Sequence, residues 1–400
     1  MATVAAPAPD AERERARPEW LENIGGQLLA LVAALVIALL LGSLIILAYG
    51  ESPATVYGAI IRFSFGSKAG IGYVLSGATP LIFSALAVAV CFKGGMFNIG
   101  VEGQYLVGML TAAWAALKLD FLPGPTLMFA TIAFGMLGAM AFAYVPAILK
   151  VKTGAHEVVT TIMMNGIAVS LVAWAINGPL HFTQQFEGFN INLRTDPFRA
   201  NSRIPDLGHL FGIEEATHLS WLFPAALVTA AIVWFVLKRM RLGYEARAVG
   251  ASAGSAQAGG IGIGNVQIKL FLLSGALAGL VGMQQLLAER GYLPIQYEAS
   301  LGFTGIAVAF LGQNSPIGIV LAAILWGVLE RGETAVQITT TVPREFVIIL
   351  QGILIISVVV TYQLAKRRLL ARQLRKAAAV EQMSDSAAPL DIEALAQEDR

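Results

Sequence analysis

Long apolar runs alternate with short polar, glycine-rich breaks along most of the chain. The runs cover residues 28–49, 71–91, 100–117, 125–148, 155–176, 220–237, 267–288, 301–312, 316–330 and 345–364. A helix rises about 1.5 Å per residue, so about 20 apolar residues cross a hydrocarbon core of roughly 30 Å, and most of these runs reach that length. The eighth and ninth fall short, and Gly312-Gln-Asn-Ser-Pro316 separates them, which predicts half-helices or one broken hairpin. The expected fold is therefore all-α, a polytopic membrane protein of about ten transmembrane helices.

Composition supports this class and removes others. The chain is 56% hydrophobic and only 13% charged, about half the charge of ordinary soluble domains. A formal net charge of +1 gives no signal for nucleic acid, so the lipid bilayer is the expected surroundings. The single cysteine, Cys91, allows no intrachain disulfide and reads as a small apolar residue.

Residues 1–27 read as a polar tail rather than a cleaved signal, because the first apolar run is too long and lacks a convincing cleavage site. Residues 28–365 form the expected transmembrane domain. Residues 366–400 turn acidic and Ala-rich towards their end and read as a second, solvated tail.

Most Lys and Arg fall on one side if both termini are cytoplasmic: Arg13, Arg15, Arg17, Lys93, Lys150, Lys152, the cluster from Lys238 to Arg247, Lys269 and the segment from Lys366. That orientation leaves 177–219 as a long external loop, with Arg194, Arg199 and Arg203 against the rule, and 238–267 as a cytoplasmic loop. Ten spans with both ends inside divide into two halves of five. An odd-numbered repeat enters the membrane in opposite senses, so inverted repeats are expected, each with a Gly/Asn break, at 94–103 and 302–318.

The densest polar sequence lies in Phe92-Lys-Gly-Gly-Met-Phe-Asn-Ile-Gly-Val-Glu-Gly-Gln104. Lipid cannot satisfy bare amides and carboxylates, so Asn98, Glu102 and Gln104 must line a route, pack inside protein or reach water. Two readings stand side by side: these groups meet a substrate, or Asn98 caps the third helix while Glu102 complements its dipole. In the fifth span Glu157, Thr161 and Asn165 are four apart with Thr160 flanking, which places them on one helix face. Amides and hydroxyls suit a neutral, hydroxyl-bearing solute; interhelical hydrogen bonding is the alternative. Gly275, Gly279 and Gly282 suit close helix packing.

Phe92–Gln104, Gly154-Ala-His-Glu-Val-Val-Thr-Thr-Ile-Met-Met-Asn165, Ala248-Val-Gly-Ala251, Ser274-Gly-Ala-Leu-Ala-Gly279, Gly302-Phe-Thr-Gly-Ile-Ala-Val-Ala309 and Asn314-Ser-Pro-Ile-Gly-Ile319 occur in this order. Together they resemble the permease subunits of bacterial ABC importers for nucleosides and simple sugars, within the group that also serves branched-chain amino acids. The first block looks closest to the nucleoside type. The resemblance implies an inner-membrane transport subunit, not an enzyme, that works by alternating access.

It further implies route residues Asn98, Glu102, Gln104, Thr160, Thr161, Asn165, Phe303, Thr304 and Asn314. It implies three partners: ATP-binding cassette subunits, a second and shorter permease, and an extracytoplasmic substrate-binding protein for which the external loop is a docking candidate. ATPase coupling would fall to Tyr244, Glu245, Arg247 and Gly250 around a short helix in Gly243-Tyr-Glu-Ala-Arg247.

No Gly-x-x-x-x-Gly-Lys-[Ser/Thr] occurs, so ATP-Mg is expected on the partner ATPases and no cofactor on this chain. Gly250-Ala-Ser-Ala-Gly254 matches a nucleophile elbow by letters alone, without the strand before it that such an elbow needs. His156-Glu157 lacks the second histidine of a zinc-protease motif. The rival classes are a branched-chain amino acid permease and an ion-coupled secondary transporter. Ion coupling usually needs a mid-membrane ionisable group, and Glu102 and Glu157 lie near span ends.

Overall fold

A computed structural model describes residues 19–180, 193–213, 217–297, 299–343, 345–361 and 364. Residues 1–18 of the expected tail at 1–27, the tail at 366–400 and part of the external loop lie outside the described residues; residues 19–27 are helical and begin the first helix rather than a tail. The chain falls into two compact units, residues 1–41 with 356–400, and 42–355. The first includes the start of the first helix and the end of the last; the second holds all the remaining helices and every candidate site residue.

The described elements are helical: α1 (Glu19–Ala48), α2 (Pro53–Phe65), α3 (Lys68–Lys93), α4 (Val101–Lys118), α5 (Gly124–Thr153), α6 (Glu157–Asn177), α7 (Leu222–Arg239), α8 (Arg241–Ala251), α9 (Ala253–Ala258), α10 (Ile263–Val281), α11 (Leu301–Leu311) and α12 (Pro316–Thr339). A π-helical turn, Gln284–Arg290, continues α10, and α13 (Glu345–Thr361) closes the series. Among the described residues five helices are long and apolar enough to cross a membrane, or six if the pair Leu35–Ala48 and Pro53–Phe65, bent by 117°, forms one span.

The helix α2 occupies sequence that the apolar pattern had left between spans. Val56, Ile60 and Ser64 recur four apart and are buried, while Ile61 and Phe65 are exposed, so the helix is amphipathic and its hydropathy is diluted. The ninth run is longer than expected: α12 has 24 residues, about 36 Å of helix. Glu330, Arg331 and Glu333 end the apolar run but not the helix. Arg331 lies 4.2 Å from the Tyr73 ring centroid, a cation–π contact that holds the charge against α3. The eighth run is the short one, the 11-residue α11, about 16 Å long.

Lipid tails are as apolar as leucine, so small residues and shape must bring the helices together. The α4–α5–α10 crossing shows the result. A Cβ added at Gly279 would stand 2.6 Å from the Gly135 carbonyl oxygen, one at Gly275 2.6 Å from Ala143 Cβ, and one at Gly108 3.0 Å from Gly279 Cα. Backbones can meet there only without side chains. Central α3 is almost wholly buried and touches α7, α10, α11 and α12, whereas α5, α6 and α7 turn large apolar side chains such as Phe129, Met163 and Phe235 outward.

Candidate functional site

Between α3 and α4 the chain breaks at Gly94–Gly100, with Gly95 in a left-handed turn at φ +70° that disfavours any other residue. The break leaves backbone groups without helical partners deep in the protein. Asn98 within the break and Asn165 from α6 bond Gly100 N and the Ile99 carbonyl, and α4 and α10 hold Asn98 in place.

Asn98 is fully enclosed, at 0% exposure. Its Oδ1 accepts from Gly100 N (3.0 Å) and Gln104 Nε2 (3.1 Å), and its Nδ2 donates to Gln104 Oε1 (3.0 Å) and Ser274 Oγ (2.9 Å). Ser274 donates onward to the Ala87 carbonyl at 2.7 Å. All four positions of the Asn98 amide are thereby used, and the break is fastened to both α4 and α10.

Asn165 reaches the same break from α6. Its Oδ1 accepts from Gly103 N at 2.8 Å and its Nδ2 donates to the Ile99 carbonyl at 3.1 Å. The face anticipated in the fifth span exists, and it is the protein-facing one: Glu157, Thr161 and Asn165 are all buried. Thr161 donates to the Glu157 carbonyl (2.7 Å), Thr160 to the same carbonyl (3.1 Å), and Glu157 pairs with Lys150 at 2.6 Å.

Glu102 bridges two helix beginnings. It sits in the first turn of α4, and its carboxylate accepts from Ser300 N and Gly302 N, both at 2.8 Å, with Tyr105 OH at 3.3 Å. Ser300 precedes α11 in a left-handed conformation, φ 75°, and its own side chain makes no capping bond. A carboxylate from another helix therefore caps α11, where free N–H groups and the positive end of the dipole favour negative charge. Gly302 permits this approach, because a Cβ there would meet the Glu102 backbone.

The open surface near this knot is aromatic. Phe92, Phe97 and Phe310 form a cluster with ring centroids 5.2–6.1 Å apart. Phe303 lies two turns before Phe310 on the same face of α11 and is 46% exposed, and Thr304 beside it is partly exposed. Asn314, in the α11–α12 turn at φ 52°, has a buried side-chain oxygen with no hydrogen-bond partner.

Of the nine anticipated route residues, Asn98, Glu102, Gln104, Thr161 and Asn165 thus converge on the break. Phe303 and Thr304 face a more open side, Thr160 lies partly exposed at the α6 end, and Asn314 lies at the far end of α11. Ser274, Tyr105, Phe92, Phe97 and Phe310 had not been singled out. Ser274 does lie in a block of the family resemblance, and Phe92 and Phe97 flank the glycines of the break.

The helix α8 is short and two-faced. Gly243, Glu245, Ala246 and Val249 are buried, while Arg241, Tyr244 and Arg247 are exposed. Glu245 pairs with Arg241 at 2.6 Å, and Arg247 donates to the Leu237 carbonyl. Gly250 lies directly on the break: a Cβ there would collide with the Lys93 carbonyl and stand 3.1 Å from Gly95 N. The helix α8 therefore meets the start of the break through backbone rather than through a flexible side chain. Among the described residues no group of three or more His, Cys, Asp or Glu side chains could hold a metal ion.

Comparison with known proteins identifies the family. The family model described as branched-chain amino acid transport system / permease component matches residues 70–359. A guanosine ABC transporter permease of Bacillus subtilis is 37% identical over 84% of this chain and 94% of its own length. A nucleoside ABC transporter permease of Lactococcus lactis is 31% identical, covering 86% and 93%, and a glucose ABC transporter permease of Haloferax volcanii 31%, covering 88% and 91%. Bacillus subtilis and Lactococcus lactis each have a second similar permease of the same description, at 24% and 28% identity. The chain belongs to the branched-chain amino acid transport system permease family and is a multi-pass membrane transport component rather than an enzyme.

Proposed function

We propose that this chain is one of two permease subunits of an ATP-driven importer and carries a nucleoside across the bacterial inner membrane by alternating access. The observation that carries the substrate class is the aromatic face made by exposed Phe92 and Phe303 with half-buried Phe97 and Phe310, beside hydroxyl-bearing Thr304. A nucleobase offers a flat π-face, and stacking on an aromatic side chain is worth about 1–3 kcal/mol per base. The guanosine and nucleoside permeases among the relatives favour the same class. A simple sugar is the second reading, favoured by the glucose permease of Haloferax volcanii.

In this proposal α1, α3, α4, α5, α6, α7, α10, α12 and α13 cross the membrane and the short α11 supplies the helical half of a tenth crossing, in two inverted halves with both termini and the α7–α10 connection in the cytoplasm. An ATPase subunit carrying ATP-Mg docks on the exposed Arg241, Tyr244 and Arg247 of α8. Closure of the ATPases shifts α8, and Gly250 passes the shift to the break between α3 and α4 as a rigid-body motion. A second permease completes the route, consistent with the paired permeases of Bacillus subtilis and Lactococcus lactis. A binding protein delivers substrate on the opposite side. Asn98, Gln104 and Asn165 hold the break in this scheme, and the aromatic face meets the solute.

The test is guanosine uptake by the reconstituted importer with Phe310→Ala and Phe92→Ala. A rise in KM of about 5- to 100-fold with kcat little changed is expected for at least one variant, the signature of lost substrate binding. Unchanged KM in both variants refutes the stacking face.

A further inference from the structure

Two cavities in the 42–355 unit adjoin at Trp234 and Pro316, which line both. The first, about 500 Å³, is lined by Lys93, Lys238, Arg247, Asn314 and Ser315, with no carboxylate among its lining residues. The second, about 440 Å³, is a purely apolar groove between α7 and the start of α12, with Leu227, Ala230, Val320 and Leu321 on its walls. Lys93 and Lys238 both stand in the last turns of their helices, the level at which a span meets the membrane surface.

The dimensions fit one kind of ligand. From Lys238 to Leu227 the groove follows 11 residues of α7, about 16 Å, which is about half of a 30 Å hydrocarbon core and hence the depth of one leaflet. Lys238 lies 5.3 Å from the Trp234 ring centroid, so its ammonium is placed where the polar cavity gives way to the groove. The N-terminus of α12 also opens here, and its N-cap Ser315 makes no side-chain capping bond. Asn314, with its buried and unpartnered side-chain oxygen, offers an acceptor to a headgroup hydroxyl. A soluble anion would fill only the first cavity and leave the groove empty.

We propose that the adjoining cavities bind an anionic glycerophospholipid, its phosphate among Lys93, Lys238 and Arg247 and one acyl chain along α7 and α12. Basic pockets between membrane helices take acidic headgroups because low dielectric and several converging cations strengthen the attraction. Since Arg247 belongs to α8 and Lys93 ends α3 next to the break, such a lipid braces the corner through which α8 touches α3. The inference rests on the membrane-spanning nature of α7 and not on the identity of the transported solute.

Trp234 makes the site observable. The full-length chain is reconstituted in phosphatidylcholine vesicles containing brominated phosphatidylglycerol or brominated phosphatidylcholine. The Trp234 signal is the difference between the native chain and Trp234→Phe. Brominated phosphatidylglycerol should quench it at a several-fold lower mole fraction than brominated phosphatidylcholine. Lys93→Gln and, separately, Lys238→Gln should each reduce that preference by about fivefold. Quenching by brominated phosphatidylcholine should stay the same in both variants, which verifies that they are folded.

Equal quenching by the two lipids overturns the proposal, as does a preference that survives both substitutions. Displacement of the phosphatidylglycerol effect by inorganic phosphate, but not by chloride at matched ionic strength, also overturns it and assigns the cavity to a soluble anion.

Discussion

Replacing Glu102 separates a structural staple from a substrate ligand. The carboxylate is buried, and its oxygens accept from Ser300 N, Gly302 N and Tyr105 OH. Glu102→Ala leaves these donors without an acceptor in a protein interior, at about 1–3 kcal/mol for each group that water cannot reach. Two buried N–H groups dominate, since the Tyr105 bond is the longest, so a loss of about 3–5 kcal/mol is expected. Glu102→Gln keeps one carbonyl acceptor but turns an NH₂ towards one of the N–H donors and removes the charge at two helix beginnings. Its loss should be smaller, about 2–3 kcal/mol. The assay is chemical denaturation of the purified chain in mild detergent without solute, beside the KM for uptake in the assembled importer. The reasoning predicts the stability order native, Glu102→Gln, Glu102→Ala, with the KM of whatever fraction folds close to native. Native stability in both variants together with a large rise in KM would refute the capping role and make Glu102 a solute ligand.

Three further outcomes follow from the same geometry. Asn98→Ala unpairs Gln104 and Gly100 N and removes one of the two Ser274 bonds, and should destabilise the chain by about 2–4 kcal/mol in the same denaturation assay, more than Thr160→Ala at the partly exposed α6 end. Gly250→Val places a side chain against the Lys93–Gly95 backbone, which cannot rotate aside; ATPase subunits should still co-purify with the variant while uptake falls at least tenfold. Glu51 accepts from the Thr341 N–H at 3.0 Å and the Thr341 hydroxyl at 2.8 Å, and the backbone bond is the larger cause holding its carboxyl below the usual range. Its folded pKa is depressed, so its contribution is present above the unfolded value and fades as pH falls through the folded one; Glu51→Gln should flatten that acid limb of the stability curve.

Much of the fold was legible because bilayer thickness sets helix length. The runs at 71–91, 125–148 and 155–176 correspond to α3, α5 and α6 with shifts of a few residues at their ends. Amphipathic α2 was not legible, since Arg62 and alternating small residues erase an apolar run without preventing a helix. The end of α12 was misplaced for a related reason: Glu330 and Arg331 read as a boundary until Tyr73, more than 250 residues away, provides a surface for the charge. Local spacing was enough to put Thr161 and Asn165 on one face, because four-residue steps fix direction on a helix.

What that face meets was beyond local reasoning. Asn165 finds Gly103 at a separation of 62 residues, and Glu102 finds Ser300 at 198. One of the two alternatives for Glu102 in the sequence invoked a helix beginning, and the structure adds a second one, that of α11. The aromatic cluster is invisible for the same reason, since Phe310 joins Phe92 and Phe97 only after α11 packs on α3.

The central claim is ATP-driven uptake, and transport by the complete assembly tests it most directly. Proteoliposomes would contain this chain, its partner permease and the ATPase subunits, with binding protein and radiolabelled guanosine on the substrate side. The account predicts saturable accumulation that requires ATP on the ATPase side and is unaffected by collapsing the pH gradient. Accumulation that proceeds without ATP and follows an imposed pH gradient would contradict it.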